Sequence, residues 1–225
     1  MTLLNRLWRR RPRDETISEA VRQLQALMNV RPLLGPAPLA FGGWSVDPAF
    51  AEELALTTIQ RRPTLVLECG SGSTTVVAAA CLALLGEGKI ISLEHELRFK
   101  LQTEAALTLR GLQDFAEVIH APLRPFTLGD QEYSWYEREE IGSIAGQADV
   151  LIVDGPPGST GHLARYPALP VLRPLLAPDC VILMDDGRRS AETAIANQWA
   201  QDFNLSARYL DYGKGAWIFR MEGPK

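Results

Sequence analysis

The chain has 225 residues, 46% of them hydrophobic and 22% charged, with a formal net charge of −4; that suits one sizeable core and is short for two. No run approaches the roughly 18 apolar residues of a membrane span, and the basic start lacks the apolar stretch and cleavage site of a secretory signal. Arg6, Arg9, Arg10, Arg11 and Arg13 fall in the first 13 residues with no acid among them, so the remainder is more acidic than the total suggests. Such a body argues against a nucleic-acid partner, whose phosphates are held by clustered Lys and Arg.

Two readings of residues 1–13 stand side by side: a frayed, solvated tail, and a segment lying on an anionic membrane surface or a partner. Ile17 to Val30 then has helical spacing (Ile17, Val21, Leu24, Leu27, Met28), with Asp14 or Thr16 available as a cap. The stretch "RPLLGPAPLAFGGWSVDP" packs four prolines and three glycines into 18 residues and reads as an ordered loop. A helix follows from Asp47-Pro48 to about Gln60, with proline at its first position.

From Thr64 the pattern alternates. Strands are expected at Thr64–Glu68, Lys89–Leu93, Ala116–Ile119, Asp149–Val153 and Cys180–Met184. Helices fit at Thr74–Leu85, Leu97–Leu109, Leu163–Leu176 and Ser190–Phe203. Short apolar strands alternating with helices mark a buried, mostly parallel sheet with helices on both faces. The end, "LSARYLDYGKGAWIFRM", reads instead as an antiparallel hairpin. The expectation is a doubly wound α/β protein with a mostly parallel seven-stranded sheet. Residues 1–62 supply a basic tail, a helix and a lid-like loop, and residues 63–225 the main domain. Cys69, Cys81 and Cys180 show no paired spacing and read as buried, reduced thiols, consistent with a cytoplasmic setting.

Three groups of residues carry chemistry. "ECGSGS" follows the first strand, and Gly70, Ser71 and Gly72 allow a sharp turn into a helix whose free N–H groups face a ligand. Thr75 stands where a dinucleotide fingerprint wants a third glycine. Glu68, an acid on the strand itself, would repel a pyrophosphate but suits a ligand bearing an ammonium group. Glu94 ends the second strand 22 residues after Gly72, where an acid accepts from both ribose hydroxyls; the plainer role for Glu94 or Glu96 is a helix cap. Asp154 ends the fourth strand and Asp185 and Asp186 the fifth, so three carboxylates converge on one sheet edge.

That order, with "ADVLIVDGPPG" and "CVILMDD", resembles the class I, Rossmann-like S-adenosyl-L-methionine-dependent methyltransferases over about residues 63–220. The resemblance implies Glu68 and Gly70 near the methionine part of the cofactor, Glu94 on the ribose, and His120 and Ala121 flanking the adenine. For His120 a capping or surface role is the alternative. The acidic positions are similar to the metal site of catechol-type O-methyltransferases, which implies Mg²⁺, or Ca²⁺ or Mn²⁺, on Asp154, Asp185 and Asp186. Asp186 departs from that pattern, where an amide is expected. The alternatives are Asp154 touching the cofactor ammonium or capping a helix, and Asp186 paired with Arg188 or Arg189. No lysine follows Asp154 to serve as general base, so His162 is the substitute proton acceptor, or else a solvated residue.

Two aromatic-rich loops, one with Phe41 and Trp44 and one with Phe126, Tyr133, Trp135 and Tyr136, are expected as lids, acceptor walls, hydrophobic plugs or dimer contacts. The implied reaction is methyl transfer to an oxygen, less readily a nitrogen, of a small-molecule acceptor. The competing reading is a non-catalytic nucleoside-binding or partner-binding module of the same fold. A homodimer fits either.

Overall fold

The computed structural model describes residues 12–221; the basic start, with its arginine side chains, lies outside the described part. A long helix, α1 (Pro12–Val30), leads through a 3₁₀ turn at Arg31–Leu34 and an irregular loop to α2 (Pro48–Arg61). The alternating section follows as β1 (Leu65–Cys69), α3 (Ser73–Leu85), β2 (Lys89–Glu94), α4 (Leu97–Thr108) and β3 (Ala116–His120). A hairpin of β4 (Leu123–Leu128) and β5 (Gln131–Tyr136) and a short α5 (Arg138–Gly142) come next. The chain ends with β6 (Ala148–Val153), α6 (Ala168–Leu172), β7 (Leu176–Met184), α7 (Ser190–Asp202), β8 (Leu205–Leu210) and β9 (Ala216–Met221).

Seven strands form one sheet in the order β3-β2-β1-β6-β7-β9-β8. The first five run parallel, and β9 is antiparallel to both β7 and β8. This is the expected Rossmann-like sheet with its terminal hairpin. Strand alternation divides the core in two. Val66, Val150, Ile152 and Leu183 face α1–α3, meeting Phe50, Leu54 and Val77. Leu67, Leu151, Val153 and Ile182 face the other way, toward Leu169, Trp199 and the β5 residues Trp135 and Tyr136. Side chains from residues 26–55 share the first cluster with those of the sheet.

Two expectations are corrected. The segment 123–136, expected as a loop, is a two-stranded hairpin whose Trp135 and Tyr136 are buried in the second core. The helix expected over 163–176 shrinks to five α-helical residues and a 3₁₀ turn at Arg173–Leu175. Prolines at 167, 170 and 174 explain this, because each removes an amide donor that a longer helix needs. On α1 the apolar spacing is helical, but Ile17, Val21, Leu24 and Met28 face solvent while Ala26 and Val30 pack inward. The three cysteines are free and buried, as expected. Among the described residues no helix is long and apolar enough to cross a membrane.

Candidate active site

Strand order reverses between β1 and β6, and crevices in such sheets form at the carboxyl ends of the strands flanking that reversal. Here the two strand ends touch. Gly70 has a φ of +88°, and a Cβ there would lie 3.1 Å from the Gly155 nitrogen. A Cβ on Gly155 would lie 2.6 Å from the Tyr136 hydroxyl oxygen. Both glycines are therefore required by close approach rather than by turn geometry alone. Around Gly72, by contrast, a Cβ would meet open space, so the start of α3 is free on its ligand side.

Glu68 sits beneath this turn. It is fully buried on the α3 face of β1, accepting from the Thr75 hydroxyl at 2.6 Å and from the Ser92 hydroxyl. Burial pushes its carboxyl up to about 7, with Ser92, Thr74 and Thr75 opposing the shift through their hydrogen bonds. Its Oε1 is buried with no partner. Glu68 thus braces the α3 N-terminus from below rather than opening onto the crevice.

Glu94 is 3% exposed. Its Oε2 accepts from the Ser71 backbone N–H and hydroxyl, each at 2.9 Å, and Oε1 accepts from the Glu96 N–H at 2.9 Å. The His95 Nδ1 lies 3.1 Å from Oε1. Burial works to raise its carboxyl, but these donors outweigh burial and hold it below the ordinary value. The glycine turn and the end of β2 are therefore tied into one unit. The register pairs Glu94 with His120, and the Ala121 N–H donates to the Glu94 carbonyl at 2.8 Å. His120 is half-buried and Ala121 fully buried, so both stand at the same edge.

On the other side of the reversal, Asp154, Asp185 and Asp186 each bring a carboxylate oxygen within 4.8 Å of the others. The sequence did not disclose what lies among them. Arg165 is 2% exposed, and its Nη2 donates to the Asp186 carboxylate at 2.8 Å and to the Asp154 carbonyl at 2.8 Å. The same nitrogen stands 3.5 Å from the Asp154 carboxylate; Nη1 donates to the Asp185 carbonyl at 2.9 Å, and Nε lies 3.8 Å from Glu192. Arg189 adds a second contact to Asp186 at 2.8 Å. Burial works to push the Arg165 guanidinium down, but Asp154, Asp186, Glu192 and Asp185 outweigh it and hold it above its ordinary value. Burial, with the neighbouring acids, drives Asp154 and Asp185 upward; Arg165 opposes the shift at Asp154.

Asp186 has a φ of +62°, a region that Asp tolerates better than most side chains. Only Asp154 keeps a sizeable opening to the crevice, with 22% of its side chain exposed against 6% for Asp186. A catalytic divalent ion needs oxygen ligands and open positions for its substrate. This cluster, enclosed and already holding a cation, does not fit one.

The loop before α2 lies at the same edge: the Ser73 hydroxyl donates to the Ala40 carbonyl at 2.8 Å, and Trp44 is 92% exposed. His162 is also exposed, in the turn ahead of α6, and stays outside the buried cluster. Tyr136, expected in a lid, an acceptor wall, a hydrophobic plug or a dimer contact, has a buried hydroxyl without a partner at the Gly70–Gly155 contact. Its signal was hidden because nothing local marks a hairpin residue as facing a strand end.

The family described as "Methyltransferase domain" matches residues 67–187. No curated protein matches the chain in sequence. Among solved structures it is similar to the S-adenosylhomocysteine-bound methyltransferase PaMTH1 of Podospora anserina, with 15% identity, 89% of this chain and 88% of that one covered, and a TM-score of 0.62. It is also similar to the O-methyltransferase TomG of Streptomyces achromogenes, bound to S-adenosylmethionine (14%, 90% and 90%, 0.59). An O-methyltransferase of Bacillus cereus bound to S-adenosylhomocysteine is comparable (14%, 88% and 91%, 0.60).

Proposed function

The chain belongs to the methyltransferase-domain family and has its class I, Rossmann-like fold, and on that premise we propose that it transfers the methyl group of S-adenosylmethionine to an oxygen of a small-molecule acceptor. The observation that carries this reading is the contact of Gly70 with Gly155 at the strand reversal, with Glu94 tied to Ser71 beside it. Together these offer a nucleoside an acidic ribose site next to a free helix N-terminus.

In this reading Glu94 exchanges some of its bonds to Ser71 for bonds to the ribose hydroxyls. His120 and Ala121 border the base, and Gly70, Ser71 and Gly72 lie against the methionine end. Glu68 acts from below, holding Thr75 and Ser92 so that the turn keeps its shape. The bound cofactor supplies an electrophilic methyl group on a sulfonium sulfur. The chain's own contribution is orientation: a nucleophile held in line with that methyl escapes much of the entropic cost of a bimolecular encounter.

Asp154 is the group suited to the acceptor, since its carboxylate lies at the crevice between β1 and β6 and can take a hydrogen bond, then a proton, from a hydroxyl. That role fits an oxygen acceptor, in line with the O-methyltransferase names of two of the three compared structures. The proton then passes to solvent, with His162, exposed in the turn ahead of α6, as the candidate relay.

Calorimetric titration of S-adenosylmethionine and S-adenosylhomocysteine into the purified chain tests the reading. Binding of both is expected, with Glu94→Ala weakening it on the order of 100-fold and Glu94→Gln by less. Absence of binding by either nucleoside would overturn the assignment. Binding without turnover on any hydroxyl acceptor would favour a non-catalytic module.

A further inference from the structure

The acidic cluster does more than flank the crevice, because its cation is part of the chain. We propose that Arg165 is the resident cation of Asp154, Asp186 and Glu192, standing where a divalent ion would otherwise be drawn, and that it positions Asp154 at the crevice without metal.

Several observations converge on this. The guanidinium is buried, with 3% of its side chain exposed, and so are its partners Asp186 and Glu192. Its planar fork binds two classes of acceptor at once: carboxylates, and the backbone carbonyls of Asp154, Asp185 and, at 3.4 Å, Pro156. A metal ion would bind the carboxylates but would not hold those carbonyls in the same plane. An ion placed on Asp154 and Asp186 would also stand against the guanidinium, and like charges at that range repel strongly in a buried setting. Lys214, 4.0 Å from the second oxygen of Asp186, and Arg189 complete the compensation from outside. Arg165 reaches over from the segment after β6 and clasps the ends of β6 and β7 through main-chain contacts. Asp154 therefore has its backbone pinned while its side chain keeps an opening to the crevice.

Arg165 is a positioning residue in this account, and the decisive readout is metal binding rather than activity. The wild-type chain, titrated with Mg²⁺, Ca²⁺ and Mn²⁺ in calorimetry and in thermal melts against EDTA, is expected to give no stoichiometric heat and no shift in Tm. Arg165→Gln removes the buried cation and leaves Asp154 with no arginine contact, while Asp186 and Glu192 keep Arg189 at their outer side. Its Tm should fall in EDTA and recover when Ca²⁺ or Mn²⁺ is added, as an ion enters where the guanidinium was.

Stoichiometric ion binding by the wild type, abolished by Asp186→Asn, would overturn the proposal. So would a folded Arg165→Gln chain that ignores all three ions, since its arginine would then be only a packing element. If Arg165→Gln fails to fold with or without ions, the pair Arg165→Gln/Asp186→Asn decides. The proposal expects the double variant to regain a cooperative melt, and a chain that stays unfolded refutes it. None of these measurements involves a nucleoside, so their failure and that of the methyl-transfer reading are separable.

Discussion

At the ends of β1 and β2, Glu68 and Glu94 are buried among hydroxyls and amides, those of Thr75, Ser92, Ser71 and Glu96, with the His95 imidazole 3.1 Å from Glu94. At the ends of β6 and β7, Asp154 and Asp186 lie around a guanidinium. Neutral donors satisfy lone pairs without cancelling charge, so the outcome depends on how many there are. Glu94, with His95 beside it and a backbone amide on each oxygen, stays below its ordinary value, while burial takes Glu68, with one oxygen orphaned, up to about 7. A guanidinium cancels charge and fixes direction, at the cost of making every partner depend on it.

The largest effect should come from breaking the charged side. Arg165→Gln removes the buried cation shared by Asp154, Asp186 and Glu192, leaving Asp186 and Glu192 with Arg189 at their outer side, and should cost about 3–5 kcal/mol in denaturant unfolding. A loss near that of an ordinary surface substitution would mean that the acids protonate without penalty, and the contrast between the two regions would vanish.

Next is Glu68, whose folded value near 7 lies above the ordinary 4.5. The folded chain therefore holds that proton more tightly than the unfolded one. The stabilisation is complete below pH 4.5 and drains away as the pH rises to about 7. Glu68→Gln cannot titrate, so the stability difference between wild type and variant should change by on the order of 3 kcal/mol across that window. Parallel pH profiles for the two chains would show that Ser92 and Thr75 fully accommodate the charge.

The smallest change in stability is expected at the boundary between the regions. Tyr136→Phe deletes a buried hydroxyl that has no partner, so unfolding should shift by less than about 1 kcal/mol in either direction. If that hydroxyl serves the bound nucleoside, affinity for S-adenosylmethionine should drop about tenfold. An unchanged affinity would make Tyr136 a wall and nothing more.

The sequence was most informative where periodicity and turn chemistry agree. The five parallel strands, the glycine turn and the convergence of Asp154, Asp185 and Asp186 could all be read from local pattern. Leu163–Leu176 misled because its apolar spacing is helical, though three prolines in it already argued for a broken helix. The β4–β5 hairpin was obscured by "PFTLGDQEYSWY", in which the aromatics suggested a lid while the Gly-Asp pair was available as a turn signal. Arg165 was out of reach for a different reason. In "GHLARYP" it resembles any surface arginine, and its carboxylate partners lie 11 to 27 residues away, at two strand ends and in the first turn of α7, which only the fold brings together.

The turn between β8 and β9 reaches back to the beginning of the described chain. The Gly213 N–H donates to Glu19 on α1, the Lys214 N–H to Asp47 at the start of α2, and the Lys214 ammonium to the Ser45 carbonyl. Nearly 200 residues separate the ends of the first of these bonds, which puts them among the slowest contacts for a chain to find. During synthesis α1 is made well before the β8–β9 turn whose groups hold it. The loop carrying Trp44 is pinned by the Lys214 bonds, so that side of the crevice takes its final shape only once the β8–β9 turn has folded back onto it.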